Sequence, residues 1–155
     1  MLMREKNQKG VTLLELVIVF IIIAIGATLL VPNIAGWLPN YRLRSATRDL
    51  VSTLRTAQMK AVSNNIVYGV AFDPNAFQLY YQSTAGLIAE GATITLPSGV
   101  QFNNNTFPID GTLGKPFARF NTDSTSSSGG VTLQNTKGTQ RRITLTPATG
   151  RININ

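Results

Sequence analysis

Residues 11–31 read VTLLELVIVFIIIAIGATLLV, with Glu15 as the only charged residue. A bilayer core is crossed by about 20 apolar residues in helical form, and this run supplies that length. A short basic leader, MLMREKNQKG, precedes the run and ends in Gly10; Pro32 and Asn33 follow it. An ordinary secretory signal places its cleavage site after the apolar stretch, at small residues. Here the small residue stands before it. The run is thus either an uncleaved signal anchor or a segment freed by cutting between Gly10 and Val11.

Glu15 bears on that choice. At the bilayer centre an acidic residue costs about 2.5–3.5 kcal/mol on insertion scales, and intramembrane charges usually have partners. Two cations could serve. Lys9 could snorkel nearby, or a cut after Gly10 would create a new α-amino group at Val11.

The stretch Lys9-Gly10-Val11-Thr12-Leu13-Leu14-Glu15-Leu16 resembles the prepilin-peptidase motif of type IV pilins and type II secretion pseudopilins. That resemblance implies that Gly10 is the last leader residue and Val11 the N-methylated start of the mature chain. It makes Glu15 the carboxylate that docks each subunit, and it implies prepilin peptidase and other pilins or pseudopilins as partners. Pro32 falls where the family commonly has a helix-breaking proline. The family usually has Phe or Met after the cut, where this chain has Val11. Physically, a bundle of such helices buries Glu15 beside a neighbour's N-terminal cation, and the cost of leaving either charge unpaired fixes the register. Methylation keeps the positive charge. Pro32 lacks a backbone donor and clashes with the preceding turn, which permits a kink or local melting.

Beyond Pro39 and Asn40, Leu43, Ala46, Leu50, Leu54, Ala57 and Ala61 are spaced by 3, 4, 4, 3 and 4 residues, one face of an α-helix. One long helix is expected from about Thr12 to Ser63, with Arg42, Arg44, Arg48 and Arg55 as a solvated face, partly at lipid headgroups. From Asn64 the pattern changes to short β-branched and aromatic runs. Ile66–Phe72 and Phe77–Gln82 flank the turn Asp73-Pro74-Asn75-Ala76. Further strands are expected at Thr93–Leu96, Val100–Asn103, Phe117–Asn121, Val131–Asn135, Arg142–Thr146 and Arg151–Ile154. Asn135–Thr139 reads as a hairpin turn and Thr122–Gly130 as a flexible loop. The expected fold is α+β: a long N-terminal helix, transmembrane in its first half, packed on a small antiparallel β-sandwich or folded sheet. The expected segments are a leader over 1–10, a membrane or filament-core helix over 11–38, an amphipathic helix over 39–63 and a β-rich periplasmic head over 64–155.

The segment Leu50–Ala61, followed by Asn64-Asn65 and strands, resembles minor pilins grouped with the type II secretion H pseudopilin, as does the ending Thr149–Asn153. This implies a structural subunit of a secretion pseudopilus or type IV pilus, anchored in the inner membrane of a bacterium before assembly. Inventory points the same way. The chain has no Cys and no His, which excludes disulfides, Cys nucleophiles and Ser-His-Asp triads. Its 7 carboxylates are scattered singly, so neither an enzyme nor a metal or cofactor site is expected. Net charge is +7, of which Arg4, Lys6 and Lys9 against Glu5 supply +2 in the leader. The alternative is a DNA-binding competence pilin. Lys137, Arg141, Arg142 and Arg151, with Lys115 and Arg119, would give salt-sensitive, sequence-blind phosphate contacts. Gly150-Arg151-Ile152-Asn153 matches only the first half of the Gly-Arg-x-Arg ending of such pilins. The competing reading of these cations is charge that blunts an exposed sheet edge.

Overall fold

The computed structural model describes residues 11–155, and of residues 28–35 the backbone alone. Gly10 and the leader expectation lie outside the described residues. The chain divides into two compact units with the boundary between Trp37 and Leu38. The element order is one helix, α1 (Leu13–Asn64), followed by eight strands. Pro32 lies within α1 and does not end it.

In the first unit the large apolar side chains of α1 from Leu13 to Ile25 are exposed, between 81 % at Leu13 and 45 % at Val17. Among the described residues no helix is long and apolar enough to cross a membrane. The described side chains of the apolar run stop at Ala27. The expected span over 11–38 continues through residues whose side chains are not described.

In the second unit the strands are β1 (Tyr68–Asp73), β2 (Ala76–Ser83), β3 (Gly86–Thr95), β4 (Val100–Asn105), β5 (Phe117–Phe120), β6 (Gly129–Asn135), β7 (Gln140–Thr146) and β8 (Arg151–Ile154). They form two antiparallel four-stranded sheets, ordered β3-β2-β1-β5 and β4-β6-β7-β8. The helical stripe read from the sequence is the helix's contribution to the core: Leu43, Ala46, Leu50, Leu54, Ala57 and Ala61 are all buried. They join Val70, Phe72, Phe77 and Phe120 of the first sheet and Val131, Leu133 and Ile143 of the second in one cluster. Full burial of a leucine such as Leu50 or Leu54 stabilises by about 1.5–3 kcal/mol. Phe72 ties the two sheets through an edge contact with Phe102 at 5.6 Å and stacks on Phe107 at 5.4 Å.

β1 is buried on both faces. Val70 and Phe72 face the common core, while the Phe117 ring covers Gly69; a Cβ there would stand 2.3 Å from Phe117 Cζ and 2.6 Å from the Ala118 carbonyl oxygen. Four further contacts fasten the helix to the head. Asn135 Nδ2 donates to Asn40 Oδ1 at 2.9 Å, Arg42 Nη1 to the Ser98 carbonyl at 3.0 Å and Gln58 Nε2 to the Thr149 carbonyl at 3.4 Å. Lys60 pairs with Glu90 of β3. That carboxylate, by its hydrogen bond and its charge, holds the Lys60 ammonium above the ordinary lysine range against the opposing effect of desolvation.

Two expectations need correction. β3 begins at Gly86, not Thr93, because Gly86–Glu90 pair with Leu79–Ser83 of β2 although this first part is poor in β-branched residues, and the ladder bulges opposite Phe77–Leu79. Thr122–Gly130 is not a loop without structure. Asn121 N–H donates to the Thr125 carbonyl at 2.9 Å, Ser126 N–H to the Pro147 carbonyl at 2.8 Å and Ser127 N–H to the Arg119 carbonyl at 2.9 Å. Ser126 is buried and bridges to Phe120. Serine-rich composition signals flexibility only where tertiary partners for those backbone groups are lacking.

Candidate functional site

Thr12 immediately precedes the helix and caps it. The Glu15 N–H donates to Thr12 Oγ1 at 3.3 Å, and the Leu16 N–H opens the helical ladder on the Thr12 carbonyl at 3.2 Å. Thr12-Leu13-Leu14-Glu15 is the Ser/Thr-x-x-Glu pattern of a capping box, with Glu15 at the third helical position. The signal was present in the sequence, and the peptidase-motif reading passed over it. A carboxylate in the first turn also complements the positive end of the helix dipole, worth about 0.3–1 kcal/mol. Glu15 is exposed, as is Val11 at 72 %. Val11 and Glu15 thus stand on either side of the cap, within one turn of each other in sequence. Leu14 and Leu16 flank Glu15 in sequence, and Ile18 and Val19 follow it at helical spacing, all exposed and apolar. A contiguous apolar surface of this kind on a chain marks a protein or membrane interaction site.

The basic residues of the head do not converge. Cross-strand partners share a face, so the Arg142–Thr132 and Arg151–Thr146 pairs put Arg142 and Arg151 on faces set by those threonines. Arg142 and Thr146 lie on the same side of β7 by the two-residue alternation, which leaves the two arginines about 13 Å apart along the sheet. Arg141 pairs with the fully buried Leu133, on the opposite face. Lys137 sits in the β6–β7 turn, where its N–H and that of Thr139 donate to Asn135 Oδ1 at 3.0 and 2.9 Å.

Two more cations are engaged within the head. Lys115 pairs with Asp73 at 2.6 Å, and that carboxylate raises the ammonium above its usual range. Arg119 pairs with Asp110 at 3.0 Å. Asp110 also accepts from the Thr112 and Leu113 N–H groups at 2.9 and 3.2 Å. Burial pushes its carboxyl up, but those two amides and the Arg119 guanidinium outweigh it and hold the group below the ordinary carboxylate range. No group of three or more acidic, His or Cys residues that could hold a metal occurs among the described residues.

The sequence matches the family described as type II transport protein GspH over residues 46–149, and the prokaryotic N-terminal methylation motif over residues 6–31. No curated protein sequence matches the chain. Among solved structures the fold is similar to the minor pseudopilin EpsH from the type 2 secretion system of Vibrio cholerae. That match has a TM-score of 0.62 at 12 % identity, over 74 % of this chain and 96 % of the other. E. coli GspH matches with a TM-score of 0.61 at 12 % identity, over 75 % of this chain and 89 % of the other. The type IV minor pilin FimU of Pseudomonas aeruginosa matches with a TM-score of 0.57 at 14 % identity, over 75 % of this chain and 90 % of the other. These likenesses establish an α+β pilin-like fold, a long N-terminal helix with an antiparallel head. With the family match spanning two-thirds of the sequence and the methylation motif spanning its start, the chain belongs to the GspH family of type II transport proteins.

Proposed function

We propose that this chain works as a minor pseudopilin, a structural subunit of a type II secretion pseudopilus. The GspH family is one of structural pseudopilin subunits and not an enzyme family. The observation that carries the reading is the start of α1: over Leu13–Ile25 its large apolar side chains are exposed, and the carboxylate among them, Glu15, sits about one turn from Val11. Before assembly, residues 11–38 anchor the chain in the inner membrane, with the head in the periplasm. Prepilin peptidase cuts after Gly10, and the new Val11 amine is methylated. In the filament the apolar helix packs against those of other pilins and pseudopilins. Glu15 pairs with the Val11 amine of a neighbour, because an unpaired buried charge costs several kcal/mol. Pro32 offers no N–H to the carbonyl of Thr28, which leaves the helix a point of compliance during that transfer.

The test separates trimming from assembly. With prepilin peptidase and the partner pseudopilins co-expressed, Glu15→Val is expected to be trimmed normally but to stay in the membrane fraction when filaments are sheared off. Gly10→Ala is expected to keep its leader and to be missing from filaments. Entry of Glu15→Val into filaments at the wild-type level would contradict the charge-pairing account.

A further inference from the structure

β8 is the outermost strand of the second sheet. Arg142 and Asn155 exchange both backbone hydrogen bonds, at 2.9 and 2.8 Å. Such doubly bonded pairs alternate along an antiparallel ladder. Asn153 and Arg151 therefore also bond towards β7, while the N–H and C=O groups of Ile152 and Ile154 turn outward. No hydrogen bond reaches those outward groups among the described residues.

Beside this edge, α1 and β8 enclose an open groove of about 340 Å³, lined by Arg48, Ser52, Arg55 and Met59 of the helix and by Ile154 of the strand. Its apolar surface is uncovered, with Met59 at 64 % and Ile154 at 46 % exposure. Arg44, one turn before Arg48, extends the row of guanidinium groups. No carboxylate lines the groove, and none pairs with Arg44, Arg48 or Arg55 among the described residues. Like charges four residues apart on a helix are destabilising. Arg42, by contrast, is engaged with the Ser98 carbonyl.

We propose that this groove takes an extended, acidic segment of a partner polypeptide, which adds to β8 as a further strand. The partner's backbone would complete the ladder at Ile152 and Ile154, its alternate carboxylates would meet Arg48 and Arg55, and its apolar side chains would rest on Met59 and Ile154. Strand addition draws affinity from main-chain hydrogen bonds and specificity from alternate side chains. A nucleic acid or a lipid surface could satisfy the arginines but not the strand edge, which is why a polypeptide is favoured. This inference goes beyond the filament role and does not depend on it.

The test uses the full chain in detergent micelles and a fluorescent ten-residue peptide of alternating Glu and Val, followed by anisotropy. Saturable binding is expected, weakened at least about tenfold in the Arg48→Ala/Arg55→Ala double variant, since charge-assisted bonds are the stronger ones. Both side chains are exposed, so an unchanged melting curve shows that the variant still folds. A peptide N-methylated at alternate residues keeps its charge and loses its donors; it is expected to bind at least about tenfold more weakly. The inference is overturned by absence of saturable binding or by equal affinity of the N-methylated peptide. It is also overturned if a DNA oligonucleotide or phosphatidylglycerol vesicles displace the probe as well as unlabelled peptide does.

Discussion

Asp110 receives more donors than any other carboxylate of the head: two backbone amides and one guanidinium converge on a side chain only 8 % exposed. Together they close the turn that precedes β5. Because the folded-state pKa lies below the unfolded value, its contribution to stability is fully present above the unfolded pKa, near 3.9. It is lost as pH falls through the folded value. Asp110→Asn is therefore expected to lower the stability of the head by about 1–2 kcal/mol at pH 7, with the gap closing as pH falls through the folded value. Denaturant melts of both proteins across that range check this; a gap that persists unchanged at low pH would show that charge plays no part. Glu15 works differently. Exposed and flanked by apolar side chains, it does little for an isolated chain beyond favouring its own helix terminus, and its cost or benefit is decided by what covers it.

β1 shows how closely the elements of the head approach one another. The Phe117 ring occupies the space above Gly69 that any larger side chain would need. Gly69→Ala is expected to destabilise by about 1–3 kcal/mol through overpacking. Gly111→Ala, where nothing lies within 4 Å of the added carbon, is expected to leave the melting temperature nearly unchanged. Equal effects from the two variants would refute this packing account. The same element scale explains what could be read from sequence. The stripe from Leu43 to Ala61 was legible because helical burial repeats with a fixed period, and every member of it is buried. The turns at Asp73–Ala76 and Asn135–Thr139 were legible because their chemistry is local; both join paired strands. The first half of β3 was not, since it is held by pairing to β2 and by Lys60 rather than by its own residues. Nor was the bonded path of Thr122–Gly130, where Ser127 bonds back to Arg119 of β5 and Ser126 reaches Pro147, 21 residues on. At the candidate site, Val11 and Glu15 could be named because one local motif carries both. The separation of Arg141 from Arg142 and Arg151 follows from sheet register, which a list of cations does not contain.

At the scale of the whole molecule, every residue of the main core cluster lies at or beyond Leu43. None of the described apolar side chains of the first unit belongs to that cluster. Residues 38–155 alone are therefore expected to melt cooperatively as a mixed α/β protein, observable by circular dichroism; a broad, non-cooperative melt would mean that the first unit supports the head. The division of labour is physical. One part of the chain buries its own apolar surface, and the other, over its described residues, presents apolar surface of the kind that marks a protein or membrane interaction site. Trimming is the event that would convert the anchored precursor into a subunit with a cation at Val11 for a neighbour's Glu15. The intact mass of the chain expressed with and without prepilin peptidase tests this most directly. The expected result is a loss matching residues 1–10 with the gain of one methyl group, seen only when the peptidase is present. An unchanged mass would contradict it and leave a signal-anchored β-rich head in place of a processed filament subunit.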